Sequence, residues 1–181
     1  MQKRKALSVD EAFLLSEKIL KNFLDYFKPE TGQKVHIFLP IKKFKEIDTK
    51  IFIEAFLDKN MHVFVPKVVA GNLFSVEINS ETAFETSEWG IPEPVSNEDS
   101  GEQHFDYVIT PLLYCDGRGN RIGYGKGFYD AFFQSISETS RKIGVNYFNP
   151  DERIDDVWEN DIPLDYLVTP TEVLSFFTGS E

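Results

Sequence analysis

The sequence predicts an α/β fold, an open and mostly parallel sheet with helices on both faces. Strand-length apolar runs alternate with helical patterns along the chain, and such alternation gives a parallel sheet covered by helices. A glycine-rich segment, residues 117–127, directly follows one apolar run, and open sheets of this kind bind ligands beyond the carboxyl ends of their strands. No internal repeat or linker interrupts the 181 residues, so residues 1–181 are expected to form one domain.

The elements follow in order. Ser8-Val9-Asp10-Glu11 has the spacing of a capping box. Ala12, Leu15, Ile19, Phe23 and Phe27 then recur at helical spacing, until Pro29 and Gly32 end the helix. Val35-His36-Ile37-Phe38-Leu39 reads as a short buried strand closed by Pro40. Thr49 to Asp58 is a second helix, with Ile51, Phe52, Ala55, Phe56 and Leu57 toward the core. His62 to Pro66 is a strand, and Phe74 to Ile78 alternates as a strand with one wet face. Asn79 to Gln103 is polar and acidic with Gly90, Pro92, Pro94 and Gly101, so a long surface loop is expected. Tyr107 to Leu113 is a central strand, Phe128 to Ile136 a helix, and Ile143 to Tyr147 and Tyr166 to Thr169 the last strands.

Composition narrows the function. A hydrophobic share of 41% and a charged share of 27% read as soluble and globular. The net charge of −11 argues against nucleic acid, whose phosphates require a basic face. A small anion would therefore need a local basic patch. Cys115 is the single cysteine, which excludes an intrachain disulfide. It reads as a buried apolar residue, because no flanking charges mark a nucleophile. Asp10, Glu11 and Glu17 interrupt any signal core, and no run is long enough to span a membrane. A cytoplasmic protein is expected. His36, His62 and His104 are too scattered for a metal pattern.

The segment Gly117-Arg118-Gly119-Asn120-Arg121-Ile122-Gly123-Tyr124-Gly125-Lys126-Gly127-Phe128-Tyr129-Asp130 carries the chemistry. Glycines let backbone N–H groups approach a ligand closely, and a helix start adds free donors and a positive dipole end. With Arg121 and Lys126, this makes a phosphate cradle. It is no Walker loop, because Gly127 stands where a Mg²⁺-binding hydroxyl would follow the lysine. It is no dinucleotide fingerprint, because single residues separate Gly123, Gly125 and Gly127. Asp130 reads equally as a carboxylate matched to the helix dipole or as a Mg²⁺ ligand.

Gly119 through Asp130 closely resembles the signature of the 5-formyltetrahydrofolate cyclo-ligase (methenyltetrahydrofolate synthetase) family. Arg4-Lys5-Ala6-Leu7-Ser8, Glu46-Ile47-Asp48-Thr49, Val65-Pro66-Lys67-Val68, Trp89-Gly90-Ile91-Pro92-Glu93-Pro94 and Asn160-Asp161-Ile162-Pro163-Leu164-Asp165 are similar to further family pieces, in the family's order. The chain departs in two places. The family's N-terminal basic stretch reaches further upstream than Lys3 and Arg4, and two extra residues separate Leu39 from Glu46.

The resemblance implies a Rossmann-like sheet, related to those of sugar-phosphate isomerases and CoA-transferases. It also implies a reaction, in which 5-formyltetrahydrofolate and ATP give 5,10-methenyltetrahydrofolate, ADP and phosphate, with Mg²⁺. ATP would phosphorylate the formyl oxygen and N10 would close the ring. By resemblance, Arg4 and the run Arg121, Ile122, Gly123, Tyr124, Gly125, Lys126, Gly127, Phe128 and Tyr129 would bind ATP. Lys126 and Arg121 would act in catalysis. Leu39, Glu46 and Trp89, with Tyr124 to Phe128, would contact the folate, and Asp130 and Asp161 would hold Mg²⁺. Other proteins on such a scaffold include non-catalytic folate or nucleotide binders and sugar-phosphate isomerase or CoA-transferase-like enzymes. A monomer meeting small molecules, with no nucleic acid or membrane partner, is expected.

Overall fold

The computed structural model describes residues 2–87 and 90–177. The chain opens with α1 (Gln2–Ala6) and α2 (Val9–Phe27). The capping box is present: Ser8 Oγ accepts from the Glu11 N–H at 3.1 Å, and the Glu11 carboxylate accepts from the Ser8 N–H at 2.7 Å. Lys28, in the left-handed region, closes α2 just before Pro29. There follow β1 (Lys34–Ile37), a 3₁₀ turn (Lys42–Phe44), α3 (Lys50–Asp58), β2 (His62–Val69), β3 (Asn72–Ile78), β4 (Phe84–Thr86) and β5 (Pro92–Pro94). The second half holds β6 (Tyr107–Thr110), β7 (Tyr114–Cys115), β8 (Arg121–Ile122), α4 (Phe128–Ser135), β9 (Arg141–Val145), β10 (Tyr166–Val168) and β11 (Val173–Ser175).

Seven strands form the main sheet in the order β11-β10-β9-β6-β1-β2-β3. The five central strands pair in parallel, and β3 and β11 add antiparallel edges. Alternate strand residues face opposite sides. Val35, Ile37, Val63, Val65, Tyr107 and Ile109 pack with Ile19 and Phe23 of α2 and Phe52 and Phe56 of α3. Phe64, Val108 and Leu167 pack with Phe132 and Phe133 of α4. The helices therefore cover both faces, as the alternation predicts. Phe23 meets the edges of Phe56 and Tyr107 at 5.5 Å between ring centroids, so the numerous phenylalanines are core material.

Several boundaries move. The apolar run at 107–113 leaves the sheet after Thr110, and 111–113 instead leads to the β7–β8 hairpin. β2 continues through Pro66 to Val69. The β1 ladder has ended at Phe64, so Pro66 lies where β2 pairs with β3 alone and the missing N–H is tolerated. The segment expected as a plain loop, 79–103, contains the small β4–β5 hairpin. Among the described residues, no helix is long and apolar enough to cross a membrane.

β1 marks the point where the strand order reverses. β2 pairs on one side of it and β6 on the other, both parallel. The loops leaving the carboxyl ends of β1 and β6 thus diverge and open a crevice between them, the usual ligand position in such sheets.

Candidate active site

The two loops at this crevice carry the residues singled out in the sequence. The loop after β1 holds Leu39 and Glu46, and the longer one after β6 holds residues 117–127. Asp116, fully buried, fixes the start of the glycine run. Its carboxylate accepts from the Arg118 N–H at 2.9 Å, the Asn120 N–H at 3.0 Å, the Asn120 side chain at 3.0 Å and the Ile154 N–H at 3.2 Å. Burial acts to raise its pKa, but these hydrogen bonds outweigh it and hold the carboxyl below its ordinary value. Gly119 is needed at this turn. Its φ is +85°, and a Cβ would stand 2.6 Å from the Leu164 carbonyl oxygen and 2.9 Å from the Phe176 ring.

Beyond that anchor the glycines face open space. A Cβ at Gly123, Gly125 or Gly127 would meet nothing within 4 Å, so the backbone between them is accessible. Gly127 is the N-cap of α4 and supplies no capping side chain. The first-turn N–H groups of α4 thus lack an N-cap acceptor, as an anion site requires. Lys126 is exposed between the last two of these glycines.

Arg121 is tied down. Its guanidinium donates to Asp130 Oδ1 at 2.6 Å and to the Ile162 carbonyl, and lies 4.7 Å over the Phe133 ring. The Ile162 N–H in turn donates to Asp130 Oδ1 at 3.4 Å. This bridge brings the segment after Asp161 against the first turn of α4, across 31 positions between the two aspartates. Asp161 is exposed and its carboxylate accepts from the Trp158 N–H at 2.9 Å. Among the described residues no group of three or more His, Cys, Asp or Glu is arranged to hold a metal. Mg²⁺ commonly takes only one or two protein carboxylates and completes its shell with phosphate oxygens and water. Asp130 and Asp161 stand in segments that this bridge joins, each carboxylate accepting from a backbone N–H.

A second network joins three distant segments. Arg4 of α1 is 6% exposed and donates to the Leu112 carbonyl at 3.3 Å and the Tyr124 hydroxyl at 2.9 Å. Tyr124 donates to Glu46 Oε1, and the Ile41 N–H donates to Glu46 Oε2 at 2.6 Å. Burial pushes the Glu46 carboxyl above its ordinary pKa, although the Tyr124 and Ile41 hydrogen bonds and the Arg4 charge oppose this. Burial and then the Glu46 charge raise the Tyr124 phenol as well. Tyr147 donates to the Glu46 carbonyl at 2.9 Å, and Phe44 stacks on Tyr124 at 5.5 Å between ring centroids. Lys45 donates to the carbonyls of Lys5 and Leu7, joining the end of α1 to the same loop.

The remaining predicted residues divide. Leu39 is buried in the first core cluster. Ile122 is exposed on β8, and Phe128 is half-buried. The Tyr129 ring packs with Phe132, Phe133 and His36, and its buried hydroxyl has no hydrogen-bond partner among the described residues. Trp89 lies outside the described residues. Cys115 is buried, with its thiol pushed up to about 12 chiefly by burial, as an inert core cysteine should be. A surface cavity of about 680 Å³ lies elsewhere, lined in part by Glu77, Glu81, Glu98 and Asp99. Four carboxylates make it hostile to a triphosphate. Asp116 and Lys45 escaped the sequence reading. The Asp-Gly-Arg-Gly-Asn spacing was a usable turn signal for Asp116, whereas nothing local marked Lys45.

A sequence model of the 5-formyltetrahydrofolate cyclo-ligase family matches residues 1–170. The chain belongs to this family. The 5-formyltetrahydrofolate cyclo-ligase of Mycoplasma pneumoniae is 28% identical over 171 residues, covering 93% of this chain and 92% of that protein. The Escherichia coli K12 cyclo-ligase is 27% identical over 179 residues, covering 95% and 97%. The solved structure of Aquifex aeolicus 5,10-methenyltetrahydrofolate synthetase superposes with a TM-score of 0.84 at 31% identity, covering 99% of this chain and 90% of that one. Between the β1 and β6 loops, Tyr124 joins the glycine signature to Glu46. Membership sets aside the isomerase and CoA-transferase alternatives, and the family uses ATP as co-substrate.

Proposed function

We propose that this cyclo-ligase converts 5-formyltetrahydrofolate and ATP to 5,10-methenyltetrahydrofolate, ADP and phosphate in the β1/β6 crevice. The observation that carries the reading is the open glycine backbone at the start of α4, beside the exposed Lys126 and the anchored Arg121. It supports a triphosphate there, because phosphoryl transfer asks mainly for positioning and charge neutralisation.

In the reaction the formyl oxygen attacks the γ-phosphorus and ADP leaves. N10 then attacks the activated formyl carbon, loses its proton, and phosphate departs with the former formyl oxygen. Lys126 meets the charge on the transferring phosphoryl group. Arg121 to Tyr129 line the nucleotide, with Gly123, Gly125 and Gly127 offering N–H groups. Arg121 is held in place by Asp130 and the Ile162 carbonyl, and it lends its positive charge to the start of α4. Arg4 reaches the site through Tyr124. Leu39 supplies an apolar surface for the pterin, and Glu46 accepts from its N–H groups. Trp89 is a further folate contact in this reading. Asp130 and Asp161 would hold Mg²⁺, which supplies charge neutralisation on the β- and γ-phosphates. The reading goes with a cytoplasmic monomer that meets both substrates in solution.

A spectrophotometric assay for the methenyl product tests the proposal. Purified protein with Mg²⁺-ATP should form it from 5-formyltetrahydrofolate, and omission of ATP should abolish it. A folded sample that forms no product at high enzyme concentration would remove the enzymatic reading.

A further inference from the structure

β2 does not stop where its pairing with β1 stops. The β1 ladder ends with His36 opposite Phe64, whereas β2 runs on to Val69. Carrying the register forward three residues sets Lys67 level with Leu39, at the carboxyl rim of the sheet. By alternation the Lys67 side chain shares the face of Val63 and Val65, the face on which Leu39 is also buried.

Lys67 is only 7% exposed. Its ammonium has three donors and reaches three acceptors: the Pro94 carbonyl at 2.5 Å, the Val95 carbonyl at 3.4 Å and Glu85 Oε1 at 3.4 Å. All three belong to the β4–β5 hairpin and its exit. Burying an ammonium is costly unless close acceptors compensate, so this arrangement needs a reason.

The hairpin itself is short, and of its six strand residues Pro94 alone is buried. Its two strands pair over three residues each, separately from the main sheet, and all three β4 residues are exposed. A lone two-stranded hairpin is marginal in water. Its far end is closed by the Ser87 N–H donating to the Ile91 carbonyl at 2.9 Å, and Ile91 packs against the cluster that contains Phe38 and Leu39. The hairpin therefore reaches from Lys67 to the exit of β1, the segment that leads to Glu46.

We propose that Lys67 is a positioning residue for the folate: its buried ammonium fixes the 84–94 hairpin as one wall of the pocket beside Leu39. The inference rests on the folate reading above. Lys67 touches neither the glycine run nor the phosphates, so its removal should weaken one substrate and spare the other.

Lys67→Met keeps the length of the side chain and removes its charge and donors. The experiment is steady-state kinetics with each substrate varied in turn, alongside hydrogen exchange measured across the chain. The expected result is a rise of about tenfold in KM for 5-formyltetrahydrofolate, little change in KM for ATP or in kcat, and faster exchange confined to residues 84–94. A faster-exchanging hairpin with an unchanged folate KM would overturn the proposal. So would a loss of protection everywhere with both KM values and kcat impaired together, which would make Lys67 a general stabiliser. Should Lys67→Met fail to fold, Lys67→Arg retains charge and donors but alters their reach, and the same split in KM is required of it. Wild-type behaviour separates the two claims. Absent turnover and absent folate binding by wild type would remove the folate reading, whereas normal wild-type turnover beside an unaltered folate KM in the variant would remove only the role of Lys67.

Discussion

At the scale of the residue, the candidate site contrasts paired cations with an exposed one. Arg121 is locked by Asp130, by the Ile162 carbonyl and by the Phe133 ring, and Arg4 is buried against Tyr124. Lys126 is exposed between glycines, and in the proposed reaction it would meet the charge of the transferring phosphoryl group. Replacing Lys126 with Met should lower turnover by about 10²–10³-fold, the typical cost of one lost electrostatic contact to a transition state. Folding should be unaffected, so the denaturation midpoint of Lys126→Met should match wild type while single-turnover rates fall. Near-normal turnover would mean that Lys126 only decorates the loop. The identity of Lys126 was legible in the glycine signature. The buried pairing of Arg4 was not, because an arginine between Lys3 and Lys5 at the start of the chain looks like any solvated cation.

At the scale of the element, β1 joins the site to the core and carries a cost at low pH. His36 is fully buried between the Phe105, Phe132 and Tyr129 rings, and neither ring nitrogen has a hydrogen-bond partner among the described residues. Burial lowers its pKa from 6.5 to about 3, so the imidazole stays neutral in the folded protein. No charged side chain is among these neighbours. Because the folded value is depressed, the unfolded chain takes up the proton first. The contribution of neutral His36 is then complete above pH 6.5 and is lost as pH falls toward 3. In that window, this residue alone should remove about 1.4 kcal/mol of stability per pH unit. His36→Leu should flatten the acid limb of a stability–pH profile measured by urea denaturation. An unchanged slope would show that His36 finds a proton acceptor when charged. The sequence set His36 aside as a metal ligand and put it inside an apolar strand, and its complete burial follows from that strand lying in the interior of the sheet. The sequence reading left out the short β7, β8 and β11, because strands of two or three residues leave no periodicity to count. It assigned β3 no direction, because alternation does not tell parallel from antiparallel pairing.

At the scale of the whole molecule, the sheet crossover brings together residues that are far apart in sequence. Asp130 enters from the start of α4 and Asp161 from the segment leading into β10, and Ile162 bridges them. If both ligate Mg²⁺, Asp130→Asn and Asp161→Asn should each raise the Mg²⁺ concentration needed for half-maximal turnover, while Asp155→Asn in the same acidic stretch should be silent. Asp130→Asn should show the larger effect, because it also frees Arg121, and it alone should lower the melting temperature. Equal effects at all three positions would point to bulk charge. The sequence by itself determined the layering, the capped first long helix, the two helical faces and the glycine-rich run before α4. Each of these rests on near-neighbour patterns: helical and strand periods, a four-residue box, glycines beside a helix start. Only the tertiary structure decided that Arg4 meets Tyr124 across 120 positions, that Tyr124 meets Glu46 across 78, and that Lys67 closes over the 84–94 hairpin. Those contacts depend on strand register and on the reversal of strand order at β1, which local propensity does not encode. Their partners are long side chains at loop and strand ends, where one residue of shift would carry each out of reach.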